Sequence, residues 1–190
     1  MKYLDLQKKL KLNLFTLLDV LMLFPQENEH LIKIQLWRFS QKGLITQIKR
    51  GIYCMTPEAI DEFELANKLY QPSYISLETA LNYYGLIPDI PQSIISVTLT
   101  TSKKIENKFG TFHYVKIANE LFFGFQTVKS GKSHSYFNIA IKEKSLLDYF
   151  YARRFRSVKD LRLNINDINL EVYKNFARHF PAWVRNIKLS

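Results

Sequence analysis

QKGLITQIKRGIYCM, residues 41–55, sets two glycines around a β-branched run and a pair of adjacent cations. LITQI has strand chemistry and IYCM suits a return strand. Between them KRG is a turn in which Gly51 is free to take positive φ. What lies upstream decides whether this is a surface hairpin or the basic wing of a DNA-binding domain. Residues 3–12 place leucines and lysines at helical spacing. Thr16 then stands where it caps a second helix, LLDVLMLF, with Asp19 three residues on as the acid of a capping box. That helix is nearly all apolar and is expected to be buried, and Pro25 ends it. Asn28 caps a third helix running to Lys42, with Gly43 as its stop. Three helices followed by a basic hairpin is the order of a winged helix-turn-helix.

Within the third helix Ile32, Leu36 and Phe39 recur at spacings of four and three, which turns them to the core. Lys33, Trp37 and Gln41, at successive steps of four, form the opposite stripe, flanked by Arg38 and Lys42. A helix fits the major groove, where outward side chains meet base edges, and a wing needs only cations to meet phosphate. Lys33, Trp37, Arg38, Gln41, Lys42, Lys49 and Arg50 are therefore the candidate DNA-contacting residues. A solvated helix face with Trp37 packed on another element explains the same pattern.

The chain has 190 residues, 47% of them hydrophobic, enough for a sizeable core. Its 27 lysines and arginines against 17 acids give a net charge of +10, which favours a polyanionic partner. Residues 1–56 hold nine cations and four acids, and residues 57–190 hold eighteen and thirteen, so an equal +5 sits on a much shorter first segment. The single cysteine, Cys54, excludes an internal disulfide framework and a cysteine zinc cluster, and it is expected to be a small buried thiol. Every apolar run is broken by charge well before about 18 residues, and the start lacks a secretory pattern. The expected setting is the reducing cytoplasm, with no membrane span.

Pro57 is expected to open a helix, PEAIDEFELANKLY, at the joint between a 1–56 domain and a 57–190 domain. Ser73 or Ser76 caps SLETALNYYG, whose Leu77, Ala80, Leu81 and Tyr84 share a core face ending at Gly85. SIISVTLT, GTFHYVKI, LFFGFQTV and YFNIAI read as strands, with NKFG and GKS as turns and with Phe112, Tyr114 and Lys116 on one side. KEKSLLDYFYARRF is a helix with an apolar face of Leu146, Leu147, Phe150 and Tyr151, and two further helices finish the chain. The class is α+β.

For chemistry, Asp89, Glu106 and Lys108 spell the PD...ExK layout of metal-dependent nucleases, the alternative to a DNA-binding regulator. That layout needs Glu and Lys on a strand facing the Asp, whereas IENKFG resembles a charged turn or a short edge. His30, His113, His134 and His179 lack the short spacings of a metal site. Serine-nucleophile and Gly-rich phosphate motifs are absent, so no enzyme, cofactor or metal is expected. Arg153, Arg154, Arg156, Lys159 and Arg162 gather around aromatics. They suit a second nucleic-acid surface, a docking face for an acidic protein, or a solvated helix end.

The segments KGLITQIKRGIY (42–53), PSYISLETALNYYGLIP (72–88), SVTLTTSKKIENKFGTFHYVKI (96–117), LFFGF (121–125) and IAIKEKSLLDYFY (139–151) together resemble the AbiEi-like antitoxins of type IV toxin-antitoxin systems. The SYISLETALNYYGLIP block is the most specific, and the resemblance spans about residues 15–155. It implies an N-terminal winged helix-turn-helix that binds double-stranded DNA at inverted repeats in its own promoter. It also implies a C-terminal antitoxin domain that neutralises a nucleotidyltransferase-like toxin encoded beside it, with direct contact between the two left open. Lys142 and Ser145 depart from the family, whose members often carry proline and alanine there. The resemblance assigns nothing to residues 155–190.

Overall fold

The computed structural model describes residues 1–131, 135–158 and 161–189, a mixed α+β chain with eight α-helices and two sheets among these residues. Lys132 and Ser133 of the GKS turn, His134 and Lys159 lie outside the described residues. The chain divides into two compact units, Met1–Leu69 with Lys129–Tyr136, and Tyr70–Val128 with Phe137–Ser190.

The first unit runs α1 (Tyr3–Lys9), β1 (Leu14–Thr16), α2 (Leu17–Leu23), α3 (Glu29–Gln41), β2 (Thr46–Lys49), β3 (Ile52–Cys54) and α4 (Glu62–Leu69). The capping box of α2 forms as its sequence predicts: Asp19 N donates to Thr16 Oγ1 at 3.2 Å, and Thr16 N donates to Asp19 Oδ2 at 2.7 Å. The expectation that α2 is buried is corrected. Val20 is enclosed, but Leu18 and Met22 are 63% and 64% exposed, because a seven-residue helix on a small unit turns only one face inward. The second correction is at Pro57, which opens a short 3-10 turn, Pro57–Ala59, and not a continuous helix. Asp61 restarts the chain as α4, its Oδ1 accepting from Phe63 N at 2.8 Å and Glu64 N at 3.2 Å.

β1 was not anticipated. It pairs antiparallel with β3, Phe15 opposite Tyr53, and gives a three-stranded sheet in the order β1-β3-β2. Ile48 is the extra residue of a bulge in β2, between the Gln47–Tyr53 and Lys49–Ile52 pairs. Leu6, Phe15, Val20, Ile32, Leu36 and Ile45 close the core beneath.

The second unit holds β4 (Ser73–Ile75), α5 (Leu77–Tyr83), β5 (Ile94–Thr98), β6 (Lys103–Asn107), β7 (Gly110–Lys116), β8 (Phe125–Lys129), β9 (Tyr136–Ala140), α6 (Lys142–Arg153), α7 (Leu170–Ala177) and α8 (Ala182–Arg185). Its sheet is ordered β6-β7-β5-β4-β9-β8 and is mixed, since β5–β7 and β4–β9 are parallel while β4–β5 and β6–β7 are antiparallel. IENKFG meets both expectations for it: Ile105–Asn107 end the edge strand β6, and Lys108 and Phe109 form the turn into β7. Ser73 is a residue of β4 and caps nothing. Ser76 does precede α5, but its hydroxyl is drawn to Asp148 of α6 and not to the helix end. LFFGFQTV becomes a strand only from Phe125, after a 3-10 turn at Asn119–Leu121. Leu77, Leu81, Leu146, Leu147 and Phe150 fill the core as their spacing predicts, and Tyr173 and Val184 of α7 and α8 complete it.

Candidate nucleic-acid interface

α3 is fixed at both ends. Asn28 Oδ1 accepts from His30 N at 2.8 Å, and Gly43 takes φ +68 to stop it. With Ile32, Leu36 and Phe39 held in the core, the helix turns Lys33, Trp37, Arg38, Gln41 and Lys42 to solvent, and Trp37 stays 58% exposed. Trp37 is therefore not packed away, although full burial of a large apolar side chain stabilises by about 1.5–3 kcal/mol. Lys33 is the least free of the set, because Glu29 Oε1 lies 2.5 Å from its amine across one helical turn.

The hairpin is anchored from the inside. Met55 N donates to the Asn13 carbonyl at 3.0 Å, Thr56 N to Asn13 Oδ1 at 2.8 Å and Leu17 N to the Gly51 carbonyl at 2.9 Å. Gly51, at φ +81, makes the turn. Tyr53 and Cys54 of β3 are buried, and burial raises the Tyr53 phenol while the nearby Lys33 charge opposes the shift. The two cations of the turn differ. Lys49 Nζ donates to the Leu69 carbonyl at the end of α4, 3.1 Å away, whereas Arg50 is exposed with no partner among the described residues. The seven candidates thus share one unit and two adjacent elements, with Arg38, Gln41, Lys42 and Arg50 the least engaged.

The nuclease triplet falls in separate surroundings. Asp89 lines a cleft of about 400 Å³ with Glu78, Tyr149 and Arg162. Glu106 is on the edge strand β6, where the ion pair and hydrogen bond with Lys104 hold its carboxyl below the usual range. Lys108 lies beyond the end of β6, its amine 5.0 Å from the Phe109 ring. Among the described residues no three His, Cys, Asp or Glu side chains are grouped to hold a metal. Nor is any described helix long and apolar enough to cross a membrane. His30 and His179 are exposed, and His113 is half-buried on β7.

A polar cluster that the sequence did not announce lies in the second unit. Lys144 and Asp148, four apart on α6 and fully buried, form an ion pair. Tyr74 Oη donates to Asp148 Oδ2 at 3.0 Å, Ser76 Oγ donates to it at 2.9 Å, and Lys144 Nζ donates to Tyr74 Oη at 2.9 Å. Rings of Tyr74, Phe123 and Phe180 stand 5.2–5.4 Å from the amine. Burial pushes Asp148 up and Lys144 down, each toward its neutral form, against the attraction between them. The cluster is closed to solvent and serves the core. Only the i,i+4 spacing of Lys and Asp in KEKSLLD could have signalled it.

No protein-family model matches the chain, and no curated protein matches it.

Proposed function

We propose that this chain is a DNA-binding antitoxin and autorepressor acting in the cytoplasm. It reads double-stranded DNA with α3 and grips the backbone with the β2–β3 turn, as a winged helix-turn-helix. The observation that carries the DNA reading is the solvent-facing stripe of Lys33, Trp37, Arg38, Gln41 and Lys42, beside a hairpin whose Arg50 has no described partner. The order helix, strand, helix, helix, strand, strand, with a three-stranded sheet, supports the winged form. Arg38 is suited to a base edge or a phosphate, Gln41 to a base edge, and Arg50 to phosphate or the minor groove.

The antitoxin role rests on the resemblance of the 72–88, 96–117 and 139–151 segments to the AbiEi-like family. On that reading the operator is an inverted repeat upstream of the chain's own gene, and the functional partner is a nucleotidyltransferase-like toxin encoded beside it. A gel shift on that upstream DNA tests the DNA half: binding is expected to be specific and to weaken as salt rises. No shift at low salt overturns it. Rescue of growth on co-expression with the neighbouring gene tests the other half, and a neighbour that is not toxic overturns that.

A further inference from the structure

The second unit carries a cleft of about 480 Å³ that the DNA reading does not use. Three cations from two places line it. Lys116 ends β7, Arg154 caps α6 and Arg156 follows the cap. Arg153 next door is already held by Glu78, through contacts of 2.7 and 3.0 Å. No described carboxylate pairs with Lys116, Arg154 or Arg156. A helix C-terminus attracts one or two cations through its dipole, but it does not account for Lys116 from the sheet.

Two further details point to a ligand. Arg154 sits in the left-handed region, at φ +57, where glycine is the usual choice and a side chain costs about 1–2 kcal/mol. The chain keeps arginine there. The other wall is aromatic: the Trp183 and Tyr151 rings stack at 15°, and the Arg156 guanidinium lies 4.7 Å from the Trp183 centroid. The ring thereby restrains Arg156, whose N–H groups meet no described carboxylate. Cations and aromatic rings, with Pro181, line the same cleft, a combination that suits a ligand with phosphates and a planar base. The volume lies in the range of small-molecule sites, and a concave cleft does not admit the convex backbone of a duplex.

We propose that this cleft binds a nucleoside polyphosphate, with its phosphates on Lys116, Arg154 and Arg156 and its base against Tyr151 and Trp183. Calorimetric titration of the full chain with ATP at low salt tests this, with tripolyphosphate and adenosine as separate arms. The expected result is saturable binding to one site, with each fragment at least about tenfold weaker than ATP, since each makes only half the contacts. Arg154→Gly and Arg156→Ala are each expected to weaken ATP binding about tenfold. Arg154→Gly suits its backbone, so a lost site there is not a lost fold, and thermal melting checks both variants. Absence of saturable binding overturns the proposal, as does undiminished binding by folded variants. Tripolyphosphate as tight as ATP overturns the nucleotide assignment. So does a single-stranded oligonucleotide that binds far tighter than ATP.

Discussion

Lys49 and Arg50 are neighbours with the same charge, yet their surroundings assign them different work. The Lys49 amine already satisfies a carbonyl at the end of α4, and Arg50 projects free of any described partner. Arg50→Ala is therefore expected to weaken DNA binding more than Lys49→Ala, which should instead lower the melting temperature slightly, as thermal scans on both variants will register. Lys144 shows the opposite case, a charge whose partner lies wholly inside. Lys144→Met leaves Asp148 buried and uncompensated, an expected loss of about 3–5 kcal/mol in urea denaturation. Replacing both members, Lys144→Met with Asp148→Leu, should cost less than the single change, because no lone charge remains. Nothing in the composition distinguishes these two lysines. A Lys–Asp pair four apart on a helix is ordinarily a solvated pair. It is desolvated here because Tyr74 of β4, Ser76 just after it, Phe123 and Phe180 close around α6, long-range contacts that no local spacing reveals.

At the scale of elements, α3 and the hairpin after it were legible because their signals are local. Asn28, Gly43 and Gly51 mark the ends and the turn, and a helical period fills the middle. β1 and β4 were not legible, since three residues are too few for an alternation to register and their partners lie far along the chain. The helix expected at Pro57 failed for a related reason: Asp61 offers its side chain to the next turn and starts a new helix there. Two glycines show how packing separates elements that look alike in sequence. Gly51 and Gly124 both have positive φ, but a Cβ on Gly51 meets nothing within 4 Å, and one on Gly124 meets Phe176 at 2.9 Å and Lys144 Cγ at 3.0 Å. Gly51→Ala should cost about 1–2 kcal/mol from the backbone alone. Gly124→Ala should cost roughly 2–4 kcal/mol in the same urea experiment, because overpacking against α6 and α7 is added to that strain.

For the molecule as a whole, burial sets its response to alkali. It raises the Tyr74 and Tyr114 phenols well above their ordinary value and Tyr173 to about 12. Because these folded values exceed the unfolded value of 10.0, the stabilisation is complete below pH 10.0 and is lost as pH rises through them. Each such tyrosine then removes about 1.4 kcal/mol per pH unit. A cooperative unfolding transition is expected above pH 10.0, with part of the tyrosinate absorbance appearing only as the chain unfolds. The net charge of +10 acts at the same scale and favours a polyanion without choosing one, so it points to a class of partner and not to a site chemistry. The choice of duplex DNA rests on α3 and the hairpin. The most direct measurement is fluorescence anisotropy of the upstream DNA against protein at several salt concentrations, for wild type and for Arg38→Ala and Arg50→Ala. Salt-sensitive binding is predicted, with the slope against log salt reduced by about one for each cation that meets phosphate. Wild-type binding that is absent at low salt, or that both variants retain with an unchanged slope, would contradict the assignment of α3 and the hairpin as the DNA-reading surface.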